Sequence, residues 1–174
     1  RALCATALAL IAAPSAVDAA SVAAWDFSTI TSASNWGASP LAPSSSDAHV
    51  AVVGLTRNWT CGSGTPAAAA WGGNNFNTSA TTETAAIAAN NCATFSLTVA
   101  DGYTLSLSDI GACNVRRSAA GPTTGRWQYQ INSGAFTDIG AANITWGTTT
   151  TASGNTQPAV PLSDIAALQN LPAG

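Results

Sequence analysis

Residues 102–122, "GYTLSLSDIGACNVRRSAAGP", constrain the fold most, because Tyr103, Leu105 and Leu107 alternate there with Thr104, Ser106 and Ser108. A period of two sets apolar side chains on one face of a sheet and hydroxyls on the other, and no helix separates the two sets in that way. The run continues through Ile110, Cys113 and Val115 to Arg116-Arg117 and stops at Gly121-Pro122, a turn signal. Upstream, "FSLTV" at 95–99 alternates too and reaches the run through Asp101-Gly102, so the two are expected to form a hairpin.

Strand-like runs recur elsewhere. In "SVAAWDF" (21–27) Trp25 and Phe27 share one face and Asp26 takes the other, while the continuous apolar centre of "HVAVVGLTR" (49–57) predicts burial on both faces or close sheet packing. Residues 126–132 place Trp127, Tyr129 and Ile131 inward and Arg126, Gln128 and Gln130 outward, after which Ser133-Gly134 turns the chain back. Helix is expected only as a turn over 82–89 and another over 164–170, the second capped by Ser163. Short strands, turn dipeptides and little helix predict an all-β chain: a two-sheet antiparallel β-sandwich of jelly-roll type, with one or two short helical turns.

Charge narrows the function. Only 7% of the 174 residues are charged, the net charge is −3, and all five basic residues are arginines. No basic stripe could neutralise a run of phosphates, which excludes nucleic acid as a partner. Solubility must come from Ser, Thr, Asn and Gly, as in extracellular β-proteins. Much of the 47% apolar content is alanine, so the core must rest on a few large residues, including six Trp and four Phe.

The first nineteen residues read as a clipped secretory leader, with Arg1, a short Ala/Leu/Ile run, Pro14 and small residues at Val17 and Ala19. Cleavage is expected between Ala19 and Ala20, leaving one β-sandwich domain over 20–174, and the apolar run is too short to span a bilayer. Met is absent, so the chain lacks a translational start and is expected to be a fragment or a sequence read without one. Of the cysteines that follow, Cys61 and Cys92 are expected to form a disulfide and Cys113 to be a buried thiol, with three unpaired thiols as the alternative. No Cys-x-x-Cys spacing occurs and His49 is the lone histidine, so no metal or other cofactor is implied.

"AAWDF" at 23–27, "GLTR" at 54–57 and "GYTLSLSDI…RRSAAGPT" at 102–123 together resemble secreted bacterial proteins of unknown function, many of which carry a C-terminal sorting tail of the PEP-CTERM type. The resemblance covers most of residues 23–174 and is most specific at Arg116-Arg117-Ser118. It implies a jelly-roll surface module with no established activity. It also implies further C-terminal strands, which the domain as given is expected to lack. Trp59 and Cys61 depart from the pattern, since small residues are usual after "GLTR".

Candidate chemistry is sparse. Asp26, Asp101, Asp109, Asp138 and Asp164 lie in no acid/base motif, and His49 has no nucleophile motif beside it, so no enzymatic activity is expected. Arg57, Arg116 and Arg117 are expected to serve the fold by pairing with a carboxylate such as Asp26 or Asp109 or by bonding loop carbonyls; anion or glycan binding is the alternative. One member of the Arg116-Arg117 pair must face inward. Trp36, Trp59, Trp71 and Trp146 lie in polar segments where they either fill the core or stack on sugar rings. Asn58, Asn77 and Asn143 begin N-glycosylation sequons. Two functions are expected on these grounds: a secreted, non-enzymatic structural module assembling head to tail by strand complementation, with the segment before Phe27 as donor, or a carbohydrate-binding module. The partners are then further copies of the chain or extracellular glycans, with no membrane span.

Overall fold

The computed structural model describes residues 20–31, 36–62, 67–75, 81–149 and 154–174. The leader-like residues 1–19 and the sequon residue Asn77 lie outside them. The described chain is all-β: its strands pair antiparallel, with one short α-helix and one 3₁₀ turn, and each sheet is a two-stranded pair.

β1 (Ala23–Ala24) pairs with β2 (Ser45–Ser46), Ala23 opposite Ser46. Flanking bonds from Ser44 N–H to Ala24 O and from Asp47 N–H to Val22 O hold the N-terminal strand inside its own domain. The longest ladder joins β3 (Val50–Arg57) to β4 (Ala93–Val99), with Val50 opposite Val99, Val52 opposite Leu97 and a bulge between Val53 and Thr56. The apolar centre of β3 does not have two buried faces. Val50 is buried at 8% exposure while Val53 stands 56% exposed, because Val50 and Val52 face the core and Val53, next in the pleat, faces away.

The hairpin expected between 95–99 and the organising run does not form. The Asp101-Gly102 turn is present, with Gly102 at φ 82°, but β4 is already paired to β3, and Leu105 instead exchanges main-chain bonds with Leu171. The pairs that follow are nested. β5 (Asp109–Ile110) meets β12 (Val160–Pro161), β6 (Cys113–Val115) meets β11 (Asn155–Gln157), β7 (Thr124–Gly125) meets β10 (Ile144–Thr145), and β8 (Gln128–Tyr129) meets β9 (Thr137–Asp138). Residues 105–149 and 154–171 therefore form one long interrupted antiparallel ribbon that reverses where Gly134 N–H donates to Ile131 O. Ile131 is exposed at this tip, not inward, whereas Trp127 and Tyr129 pack on the core as expected.

The core is two small clusters. Val50, Val99 and Leu105 form one; Ile139, Leu162 and Leu168 form the other; Leu107 packs against both. Full burial of such side chains contributes roughly 1.5–3 kcal/mol each, so the ribbon is tied to the β3–β4 ladder chiefly through Leu105 and Leu107. Between residues 105 and 108 exposure alternates as the sequence pattern predicts.

The two helical turns are α1 (Glu83–Ala88), within the expected 82–89 and with Thr82 as N-cap accepting from Ala85 N–H, and a 3₁₀ turn over Ala166–Leu168. Ser163 does not cap the second. Its N-cap is Ile165, without a side-chain bond, and the turn is held by buried Leu162 and Leu168 and by Gln169 Nε2, which donates to Leu107 O and Leu162 O.

Candidate functional site

Five of the residues singled out in the sequence meet at one place. Trp36 and Gly37 both adopt left-handed backbone, φ 72° and 79°, which turns their successive carbonyls to one side. The Arg57 guanidinium reads that turn as a fork, Nη1 donating to Trp36 O at 2.9 Å and Nη2 to Gly37 O at 2.7 Å, while Nη1 also reaches Gly72 O at 2.9 Å. A left-handed non-glycine residue costs about 1–2 kcal/mol, which charge-assisted bonds of this kind can offset. Trp71 lies over the guanidinium, 5.3 Å from ring centroid to Cζ, and donates its indole N–H to Ala38 O at 2.7 Å. Trp59 donates to Asn74 O at 2.8 Å, and the Cys61 Sγ lies 4.0 Å from Gly72 O. Arg57 thus ties the segments around Trp36, Trp59 and Trp71 together.

The Arg116-Arg117 pair follows the end of β6 at Val115, and its two side chains divide between outside and inside. Arg116 is exposed, and Arg117 turns inward to donate Nε to Pro122 O, Nη2 to Gly121 O and Nη1 to Gly147 O. It braces the gap in the ribbon between β6 and β7. Trp146 lies against the main chain of Gly125 so closely that a Cβ there would fall 2.0 Å from its ring. Neither inward arginine uses a carboxylate: Asp26 is held by Ser28 and Asp109 by Ser108. The Ser28 bonds hold the Asp26 carboxyl below its ordinary range, and Gln128 with Arg126 does the same for Asp138. Replacing Arg117 by Ala is expected to cost about 1–3 kcal/mol, and replacing Arg116 less than about 0.5 kcal/mol; thermal melts of the two variants check this, and equal losses would contradict the division of roles.

No disulfide joins Cys61 and Cys92. Both are free, as is Cys113, and the first two are engaged separately, Cys61 beside Gly72 O and Cys92 accepting from Asn58 Nδ2 at 3.4 Å. Cys113 is exposed, not buried. Of the sequon residues, Asn58 is half-buried with its amide nitrogen donating to Cys92 and Thr94, whereas Asn143 is exposed and its oxygen accepts from Arg126. No group of side chains that could hold a metal ion occurs among the described residues, and no helix there is long and apolar enough to cross a membrane.

Comparison with protein-family models, curated proteins and solved structures finds no match. Chemistry must therefore be judged on geometry.

Trp36, Trp59, Trp71 and Trp146 are all half-buried: around the Arg57 hub Trp59 and Trp71 donate their indole N–H groups to main-chain carbonyls while the Trp36 indole N–H is buried without a partner among the described residues, and Trp146 lies on Gly125 elsewhere. The exposed aromatics are others: Tyr103 at 48%, Phe136 at 40% and Phe95 at 37%. Two arrangements escaped the sequence reading. One is Phe95 on β4, in contact with Trp25 at 5.3 Å between ring centroids. The other is a cluster of Asp47, His49 and Tyr103 over a cleft of about 200 Å³. Neither has a motif, because each is made by strand pairing between distant segments.

Proposed function

We propose that this chain is a non-enzymatic structural module of a bacterial surface or extracellular matrix, a two-sheet sandwich of jelly-roll type that assembles with further copies of itself by strand addition. The extracellular setting rests on the leader-like segment and on the resemblance to secreted surface proteins. The observation that carries the assembly is the outward edge of β4 at Phe95 and Leu97, since at Val99 the same edge already accepts from Gly174 N–H.

Ala100 N–H donates to His49 O and Asn58 N–H to Cys92 O, which sets the phase of the ladder. Because pairing groups alternate along an antiparallel strand, Thr94, Ser96 and Thr98 direct theirs to β3 while Phe95 and Leu97 direct theirs away. Among the described residues no main-chain bond from another segment reaches Phe95 or Leu97. The opposite edge is covered at Leu55, which exchanges bonds with Leu41 at 2.9 Å both ways. Exposed edges in natural proteins usually carry charge or proline that prevents pairing. "ATFSLTV" carries neither.

A second copy suits this edge because the chain has few charges to repel its like. β1 is engaged with β2, so the donated strand is a different segment from β1. Donor and acceptor surfaces then differ, the contact need not close, and the product is a filament. Wild-type protein is expected to scatter light increasingly with concentration and to give filaments by electron microscopy, and Phe95→Lys to remain monomeric with an unchanged fold. Wild type that stays monodisperse at high concentration would overturn assembly; closed dimers would overturn the head-to-tail form.

A further inference from the structure

We propose that the cleft beside Asp47, His49 and Tyr103 is a binding site for a single pyranose ring. Two local devices build it. At the start of β3, Asp47 O accepts from Val50 N–H while its Oδ1 accepts from His49 N–H at 2.8 Å and lies 3.3 Å from His49 Nδ1. At the end of β4, Ala100 donates to His49 O and the turn at Gly102 brings Tyr103 back over the imidazole, ring centroids 3.8 Å apart and planes 26° from parallel. Each group is thereby oriented before any ligand arrives.

The groups left free match one chemistry. Among the described residues Asp47 Oδ2 makes no bond, and it can accept from sugar hydroxyls. With Nδ1 facing the carboxylate, His49 presents Nε2 outward. One face of the Tyr103 ring is covered by His49 and the residue is 48% exposed, so its other face can take the C–H face of a sugar. Val22, Val50 and Leu105 line the remainder of the cleft. A pyranose is apolar on its C–H face and hydroxylated around its rim, as this surface requires. Asp47 disfavours a phosphate. The volume, about 200 Å³, lies below the ~300–1,000 Å³ of sites for drug-sized ligands, which limits the occupant to one ring. The site is separate from the half-buried tryptophans and meets β4 at Val99, its last residue, beyond Phe95 and Leu97, so it stands whether or not the protein assembles.

The test is a titration of the ¹⁵N-labelled full chain, followed by NMR, with methyl glucopyranoside, methyl galactopyranoside, a linear glucan pentasaccharide, and sorbitol as a polyol without a ring. Expected are saturable shifts at His49, Tyr103 and Thr104 with at least one pyranoside, a dissociation constant on the order of 1 mM, and none with sorbitol. The pentasaccharide should bind no more tightly than its monosaccharide unit. Tyr103→Ala and Asp47→Asn, both at exposed or half-exposed positions, should each weaken binding by about tenfold or more while the rest of the spectrum is kept. The proposal fails if no pyranoside gives saturable shifts, if shifts centre on the tryptophans, if sorbitol binds equally, or if binding needs the pentasaccharide.

Discussion

Arg57→Ala should lower the stability of this protein by about 3 kcal/mol, a fall of about 6–12 °C in melting temperature for a chain of this size. The variant leaves the carbonyls of Trp36, Gly37 and Gly72 without their donor and takes the cation from beneath Trp71. Hydrogen bonds to a charged donor contribute about 1.5–3 kcal/mol each, but bonds sharing one side chain do not add, hence the lower figure. Trp36 would also keep its left-handed backbone with nothing to offset the cost. Arg57→Lys should recover only part of the loss, since an ammonium lacks the planar fork that spans two adjacent carbonyls. If Arg57→Ala melts like wild type, the hub holds nothing together.

Gly54→Ala should be at least as damaging, by about 3 kcal/mol. A Cβ at Gly54 would lie 1.9 Å from Leu41 O and 2.4 Å from Leu41 C, which are main-chain atoms that cannot rotate away. The Leu41–Leu55 bridge would have to open, and with it the bond from Trp25 Nε1 to Leu41 O. Gly111→Ala is the control, because nothing lies within 4 Å of its Cβ and its φ is ordinary; it should leave the melting temperature within about 2 °C. Similar melts for the two variants would contradict the close approach at Gly54.

These sites also mark how far the sequence can be read. Period-two alternation correctly set the exposure of residues 105–108, and it also divided Arg116 from Arg117, although β6 ends at Val115. It could not choose partners. The run after Asp101-Gly102 had an adjacent strand available, yet pairs across 66 residues with Leu171 because β4 is held by β3. Which strands meet is a property of the whole chain, and a local pattern carries only the face. Ser163 misled in the same way, since the 3₁₀ turn is positioned by Leu162, Leu168 and Gln169 instead of by a cap.

The hub was half legible. Arg57 and the tryptophans could be picked out as rare large side chains in a chain rich in Ala, Ser and Thr, but their meeting depends on the left-handed turn at Trp36-Gly37, for which the lone glycine was the sole signal. The pairing of Cys61 with Cys92 failed for want of any such signal, since sequence separation says nothing of where each sulfur points. His49 was visible only as a histidine without a nucleophile. Its stack with Tyr103 exists because Ala100 bonds the His49 carbonyl across the ladder.

The free edge of β4 at Phe95 and Leu97 is tested most directly by amide hydrogen exchange, residue by residue, on dilute and concentrated wild-type protein. Thr94, Ser96 and Thr98 should be protected in both samples, since their N–H groups face β3. Phe95 and Leu97 should exchange quickly in the dilute sample and become protected in the concentrated one, as a strand from another copy covers them. Fast exchange at Phe95 and Leu97 at every concentration would contradict strand addition, and protection already present in the monomer would contradict the free edge itself.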